Sequence, residues 1–589
     1  MIKRLILGAL ALLILGTTLS VSLDVSAEGA HQAAPTLVPP TLMPTVDDGS
    51  SDELLSESTV ARVLRADKVR VGLLYNNPPF GELNIRGEVS GFDADLARSI
   101  AETWGVAFEP VQVTRLTAVE AVKNGSVDML VASQIHQREL DDEVEFSQTY
   151  YLGSQSILVR QDDGAASPAD MANRKIGVVI GTASEKAVAQ WQVQTSLPMS
   201  IQTFLTLDRG FAALLNHEID GLVDTHVQLA RIQPTPGLAK ILNDGIAPEP
   251  YAIAFRRQDV NWRNLINRTL QHLQQKGRMQ EIQGANFPGT KYPPGLILAW
   301  AGLGTDAPKP DQFGQDIPYP PQYSIPRIQA AGMVRVAGLA DVPAEAPEGQ
   351  RRLDALNRAM MDAIASRWGL QVEYIPNSAA NAVDLVASGQ ADLAVGVPLD
   401  WSVMDRVDLT TAYLLHGQRL MVKQDSDIET FNQLRGKWVG IFASEPGIAD
   451  QVNALADSVK SPVNIFTMNR DQDAASYMLV ENNADVVFGD SLKLIPQLET
   501  NPGLLRLTKR GDAPDPWYSR TYVGLAVPRN DLDFRLLVEY TLQELARDGT
   551  LKGLLTPVML PDDVPAFDIW PGSAQYLGFQ LDQNNTLVG

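Results

Sequence analysis

The residues of this chain best placed to do chemistry lie in turns that follow short apolar runs. Gly181-Thr182-Ala183-Ser184-Glu185 follows the run Ile176 to Ile180 and opens a helical pattern. A strand-to-helix turn of this kind points backbone N–H groups and the positive end of a helix dipole at an anion, and Gly181 permits close backbone approach; the same turn also reads as a plain helix cap. Arg115 and Arg138, both in loop-like stretches, have the planar fork that grips a carboxylate through two hydrogen bonds, or are surface residues. Tyr75, Asn77 and Phe80 share one loop, where Tyr and Phe offer stacking and Asn hydrogen bonding, with burial in the core as the other reading of Phe80.

Catalytic signatures are missing. There is no Gly-x-Ser-x-Gly and no phosphate-binding Gly-x-x-x-x-Gly-Lys, and His217-Glu218 lacks the second histidine of a metalloprotease helix. Gly302-x-Gly304-x-x-Ala307 is followed at once by Pro308 and Pro310, where a dinucleotide loop needs a helix. The six histidines, at 31, 136, 217, 226, 272 and 416, show no metal-ligand spacing. We expect no metal, no cofactor and no enzymatic activity.

The elements that hold these turns must form more than one core. At 589 residues the chain exceeds the ~250 to 300 residues at which single cores stop growing. Its 45% hydrophobic and 20% charged residues are ordinary globular usage. A formal charge of −22 without any Lys/Arg run repels phosphate backbones, which excludes nucleic acid as a partner. The absence of cysteine excludes disulfides, thiolate metal sites and a lipid-modified cysteine.

The N-terminus reads Met1-Ile2-Lys3-Arg4, an apolar stretch from Leu5 to Leu15, then small residues ending in Val25-Ser26-Ala27, the layout of a signal peptide over residues 1–27. No charge intervenes before Asp24, so an uncleaved anchor is the alternative. Residues 28–57 carry Pro35, Pro39, Pro40 and Pro44 and then an acidic run, the composition of a tether. The protein is therefore expected outside the cytoplasm, secreted, periplasmic or at the cell surface.

From Ser58 onward, short Val/Ile/Leu runs alternate with helical patterns, which implies α/β domains with mostly parallel sheets. The pattern then repeats. Trp104-Gly105 returns as Trp368-Gly369 and Val127-Asp128 as Ala391-Asp392, 264 residues on, and Val69-Arg70-Val71 returns as Val334-Arg335-Val336, 265 residues on. Gln275-Lys276-Gly277 matches Arg547-Asp548-Gly549 in the same order. Two homologous domains follow, at 58–287 and 325–560, separated by a Pro/Gly-rich linker at 288–324 and followed by an extension at 561–589.

In the first repeat, Val69-Arg70-Val71-Gly72, Asn77-Pro78-Pro79-Phe80, Gly91-Phe92-Asp93-Ala94-Asp95-Leu96, Gly125-x-Val127-Asp128, Glu145-Phe146-Ser147 and Asp220-Gly221-Leu222-Val223-Asp224 occur in one order. This series resembles the solute-binding proteins of polar amino-acid ABC importers, extracellular family 3, over about Ser58 to Phe287, and more loosely over Ser324 to Pro557. The resemblance implies two tandem type II periplasmic-binding domains, each of two α/β lobes joined by crossing hinge strands. In the first, lobe 1 would span about 58–156 and 251–287, and lobe 2 about 157–250.

It also implies an Asp that holds a ligand amine, at Asp224, a position that reads equally as a helix N-cap. The arginine clamp of such relatives falls on Leu140, so the clamp is missing. The expected ligand-binding set is Tyr75, Asn77, Phe80, Arg115, Ser133, Arg138, Gly181, Thr182, Ser184 and Asp224. The second repeat departs further. It has Ala443-Ser444-Glu445 at the glycine turn, keeps Asp490 and gains Trp401; it either binds another ligand through Trp401, Ser444 and Asp490 or is a structural copy.

The implied function is capture of a small polar solute, an amino acid or a related compound, by lobe closure, with an ABC transporter permease or a membrane sensor as partner. A sensory or scaffold ectodomain is the alternative. An exported dehydratase-like enzyme using Glu185 or Asp224 is a further one, without a visible acid–base pair.

Overall fold

The runs Val69-Arg70-Val71 and Val334-Arg335-Val336 begin the two halves of the molecule as central parallel strands. In the first, Val69, Val71 and Leu73 are fully buried on strand Lys68–Leu74, as expected of a strand covered on both faces. The computed structural model describes residues 56–560 except 233–236, 294–295, 340–341, 344–345, 377–380 and 511–515, together with Gln580–Leu581 and Leu587–Val588. The N-terminal segment 1–27, nearly all of the tether and most of the extension 561–589 lie outside these residues. No described helix is long and apolar enough to cross a membrane.

In the first repeat the strands run Ala107–Val113, Lys68–Leu74, Met129–Leu130, Ala247–Phe255 and Glu145–Arg160, then Gly221–Thr225, Lys175–Val179 and Ser200–Phe204. Pairs on either side are parallel, whereas Glu145–Arg160 and Ala247–Phe255 run antiparallel to each other through the middle. These two long strands belong to both lobes, so they are the crossing strands of the two-lobed fold. The second repeat has the same order in two separate sheets. The first runs Gln371–Tyr374, Met333–Ala337, Leu393–Pro398, Thr521–Pro528 and Val407–Leu409, and the second Asn464–Met468, Trp438–Phe442, Val486–Asp490, Gln418–Lys423 and Leu505–Leu507.

The repeated motifs turn out to be scaffold. Helices Phe92–Trp104 and Glu348–Trp368 end on Gly105 and Gly369, with φ of 77° and 69°, the left-handed cap that glycine adopts without strain. The preceding tryptophans donate their indole N–H to Thr269 Oγ1 at 2.8 Å and Thr541 Oγ1 at 2.9 Å. Asp128 accepts from the Arg70 backbone N and side chain, both at 2.8 Å, and Asp392 accepts from Arg335 at 2.7 and 2.8 Å.

The two repeats meet through a buried seam that obeys an internal two-fold rule. Arg263 reaches Asp408 at 2.6 Å, and its counterpart Arg535 reaches Glu145, the counterpart of Asp408, at 2.8 Å. Arg257 bonds Asp533 at 2.7 Å while Arg529 bonds Asn261 at 2.7 Å, again an exchange of equivalent positions. Arg138 donates to Gln543 at 2.6 Å, and Trp401 at the matching position donates to Gln271 at 2.8 Å. Residue i contacting j while j contacts i is the signature of an isologous dimer interface, here within one chain.

Candidate functional site

Where the crossing strands of the first repeat pass between the lobes, three carboxyl groups gather. Asp93, at the start of helix Phe92–Trp104, accepts from Ser133 Oγ at 2.7 Å and Tyr150 OH at 2.9 Å. Asn77 Nδ2 donates to the same Ser133 hydroxyl at 3.1 Å. Ser133 has φ of 48°, an unusual conformation for a side-chain-bearing residue and one that clusters at functional sites; its N–H donates to Tyr150 OH at 3.2 Å. Glu249, on crossing strand Ala247–Phe255, accepts from Gln155 Nε2 at 2.7 Å. Asp224 ends strand Gly221–Thr225 and is paired in register with Ser156.

Burial pushes Asp93 up to about 7 against the pull of its hydrogen bonds from Ser133 and Tyr150. Burial, reinforced by the charge of Asp224, brings Glu249 to about 7 against its bond from Gln155. Asp224 is also raised, by burial. Arg115 is the cation whose field reaches all three, and also Tyr251. Buried acids around one arginine, at the junction of two lobes, can accept hydrogen bonds from a positively charged group, which favours their ionised form. The lobes touch here, Arg231 of lobe 2 donating to Pro78 O of lobe 1 at 2.7 Å.

The expected site residues divide. Asn77, Ser133, Arg115 and Asp224 fall in this electrostatic cluster, and Tyr75 is half-buried against the lobe 1 core. Phe80 is turned inward, its ring edge-on to Tyr151 at 5.0 Å and to Tyr251 at 5.3 Å; it supports the cleft from the core. Gly181, with φ of 75°, donates its N–H to Glu185 at 2.7 Å, and Thr182 Oγ1 bonds Val179 O at 2.7 Å while capping helix Ala183–Thr195. Ser184 is buried on the first turn of that helix. Arg138 lies over the Tyr540 ring at 4.4 Å and on Gln543, both from the second repeat. Asp93 and Glu249 escaped the sequence reading. Asp93 was visible only as part of a helix-start motif. Glu249 had one signal, a charge between two prolines in an otherwise apolar strand.

In the second repeat the corresponding groups satisfy one another. Asp490 bonds His416 at 2.7 Å and caps helix Ser491–Thr500. Burial works to raise it, but the His416 interaction holds it below the usual carboxylate range. Ser444 donates to Asp471 at 2.8 Å, and Lys493 reaches Ser444 at 2.6 Å, Asp471 at 3.2 Å and Glu445 at 3.3 Å. Trp401 faces the first repeat, against Trp300 at 4.9 Å and on Gln271, and not this cluster.

Helix Glu348–Trp368 carries two turns before the point where its counterpart begins. These reach lobe 2, where Arg352 bonds Glu499 at 2.6 Å and a side chain at Gly349 would run into the backbone of Leu492. Gly349→Leu is expected to force this contact apart at a cost of about 1–3 kcal/mol, the usual scale of overpacking, read as a lower thermal unfolding midpoint.

The profile of the bacterial extracellular solute-binding proteins, family 3, matches residues 69–288 and again 336–557, together well over half of the chain. The chain belongs to this family. Among curated relatives of this solute-binding protein, a glutamine-binding protein of Geobacillus stearothermophilus is 26% identical over 229 residues, 38% of this chain and 86% of that protein. A probable histidine-binding protein of Campylobacter jejuni is 27% identical over 192 residues, 32% of this chain and 72% of that one. Among solved structures, an ancestral arginine-binding protein bound to glutamine aligns at 28% identity over 38% of this chain and 98% of its own, with a TM-score of 0.31. The family match falls on both repeats of the solute-binding protein, although only the first leaves its inter-lobe acids without a basic side chain bonded to them among the described residues.

Proposed function

We propose that this protein captures a small amino acid or a related ammonium-bearing solute between the lobes of its first repeat, delivers it to an ABC importer and does not transform it. The observation that carries this reading is the convergence of Asp93, Asp224 and Glu249, buried where the crossing strands join the lobes. An ammonium ion there gains charge-assisted hydrogen bonds in a poorly solvated setting. The names of the relatives, glutamine- and histidine-binding proteins, support an amino acid. The second repeat, whose Asp490 and Ser444 are occupied by His416 and Lys493, serves as a structural partner. The basic and apolar start of the chain supports export, by a signal peptide or an anchor.

The test is thermal shift and calorimetry on the protein from residue 56 onward with L-glutamine, L-histidine, L-arginine and L-glutamate, since a ligand that binds only the folded state raises its melting temperature. At least one amino acid is expected to bind, with Asp224→Asn weakening it tenfold or more and mass spectrometry finding the solute unchanged. Product formation, or binding untouched by Asp224→Asn, would overturn the reading.

A further inference from the structure

A groove that includes Glu249 of the acid cluster runs between the two lobes of the first repeat, and one of its lining residues comes from the second repeat. Gln155 and Glu249 of the crossing strands line it together with Arg138, Lys186 and Arg547. Arg547 comes from the last turn of helix Leu532–Arg547, so a residue 260 positions beyond the end of the first repeat at 287 lines the groove. In a chain with a net charge of −22, three cations gather at this groove beside Glu139, with Glu544 and Asp141 as the opposite charges acting on Arg138.

The arrangement is a built one. Tyr540 and Gln543 of the second repeat fix Arg138 in place, with the guanidinium over the Tyr540 ring and on the Gln543 carbonyl, although Arg547 acts on Arg138 as a like charge. Among the described residues neither Lys186 nor Arg547 has an ion-pair partner within 4.0 Å. Two buried polar atoms of the groove lining, Gln155 Oε1 and His136 Nδ1, also have no hydrogen-bond partner there. Of the acid cluster, Glu249 itself lines the groove, and Gln155 beside it pairs in register with Thr225, next to Asp224.

We propose that the solute site is shared between the repeats: the solute is a zwitterion whose ammonium lies at Asp224 and Glu249 and whose carboxylate is held by Arg138 and Arg547. This rests on the reading of the first repeat as the capturing unit and adds to it a specificity residue from the second. An anion bound by both guanidiniums offsets the repulsion between them, which gives the second repeat a direct part in binding even though the acids of its own cleft are paired.

The experiment titrates L-arginine, L-glutamine and L-histidine, each beside its decarboxylated amine (agmatine, 4-aminobutanamide and histamine), into the protein and into Arg547→Gln and Arg547→Lys. Arg547→Gln is expected to weaken the bound amino acid about tenfold, to leave its decarboxylated partner unchanged, and to be largely rescued in Arg547→Lys. Equal amino-acid affinity in Arg547→Gln and the parent protein overturns the shared site and leaves the capture reading standing. Loss of amine and amino acid alike in Arg547→Gln overturns it as well, because it assigns Arg547 a purely structural role. Binding of none of the three amino acids by the parent protein overturns the capture reading and the shared site together.

Discussion

Raising the pH from 5.5 to 8 is expected to tighten binding of an ammonium-bearing solute by at least about tenfold while making the unliganded protein less stable. Asp93 and Glu249 keep their protons up to about 7 in the folded chain, whereas in the unfolded chain they titrate near 4. The folded state therefore binds more protons across that interval. The stability this confers is fully present below about pH 4 and is lost as the pH rises through about 7. Shifts of this size correspond to the order of 3–4 kcal/mol for each group.

A bound ammonium favours the carboxylate form, so binding releases a proton, and each released proton weakens binding tenfold per pH unit below the unliganded value. Asp224, Arg115, Gln155 and Tyr251 face Glu249, and Arg115 alone among them carries a positive charge. Calorimetry in buffers of different ionisation enthalpy reads the proton release directly. Glu249→Gln is expected to raise the melting temperature of the unliganded protein at pH 8 and to flatten the pH dependence. An affinity that does not change between pH 5.5 and 8 would show that these carboxyls do not face the solute.

Removing Arg263 is expected to cost about 3–5 kcal/mol, the scale for stranding one partner of a buried ion pair. Its guanidinium lies between Asp408 at 2.6 Å and Glu145 at 3.1 Å, with all three side chains nearly inaccessible. Arg263→Ala leaves Asp408 buried without its cation, although Asn530 N still donates to it at 3.0 Å. Scanning calorimetry is expected to show one unfolding transition in the parent protein and two in the variant, because the seam no longer couples the repeats. Arg263→Ala with Asp408→Asn is expected to recover part of the loss, since no unpaired charge then remains. A single undiminished transition in Arg263→Ala would show that the ion pairs of the seam do not hold the repeats together.

The architecture was legible because both repeats spell it in the same order, and each recurring motif proved to have a local mechanical task. Trp104-Gly105 and Trp368-Gly369 end helices and anchor an indole N–H. Asp128 and Asp392 hold the arginine of the first strand. The site was less legible, since its acids are defined by distance in space and not by spacing in sequence. Asp93 lay inside a motif that reads as a helix start, and Glu249 in a strand whose neighbours argue only for burial. Arg138 was legible only as an isolated loop arginine and Trp401 only as an aromatic that the second repeat gains, yet they stand at equivalent places in the two repeats. That equivalence reflects the two-fold seam, where each faces the other repeat. No single-repeat pattern carries information about a surface made only when two repeats face each other.

The seam joins the first lobes to one another: Arg138, Arg257, Arg263 and Gln271 on one side meet Asp408, Arg529, Asp533, Arg535 and Gln543 on the other. Lobe 1 of the first repeat is thereby bolted to lobe 1 of the second. Under the proposed function, closure on a solute then becomes the swing of one light jaw, the lobe that carries Asp224, against a heavy anvil that includes part of the second repeat.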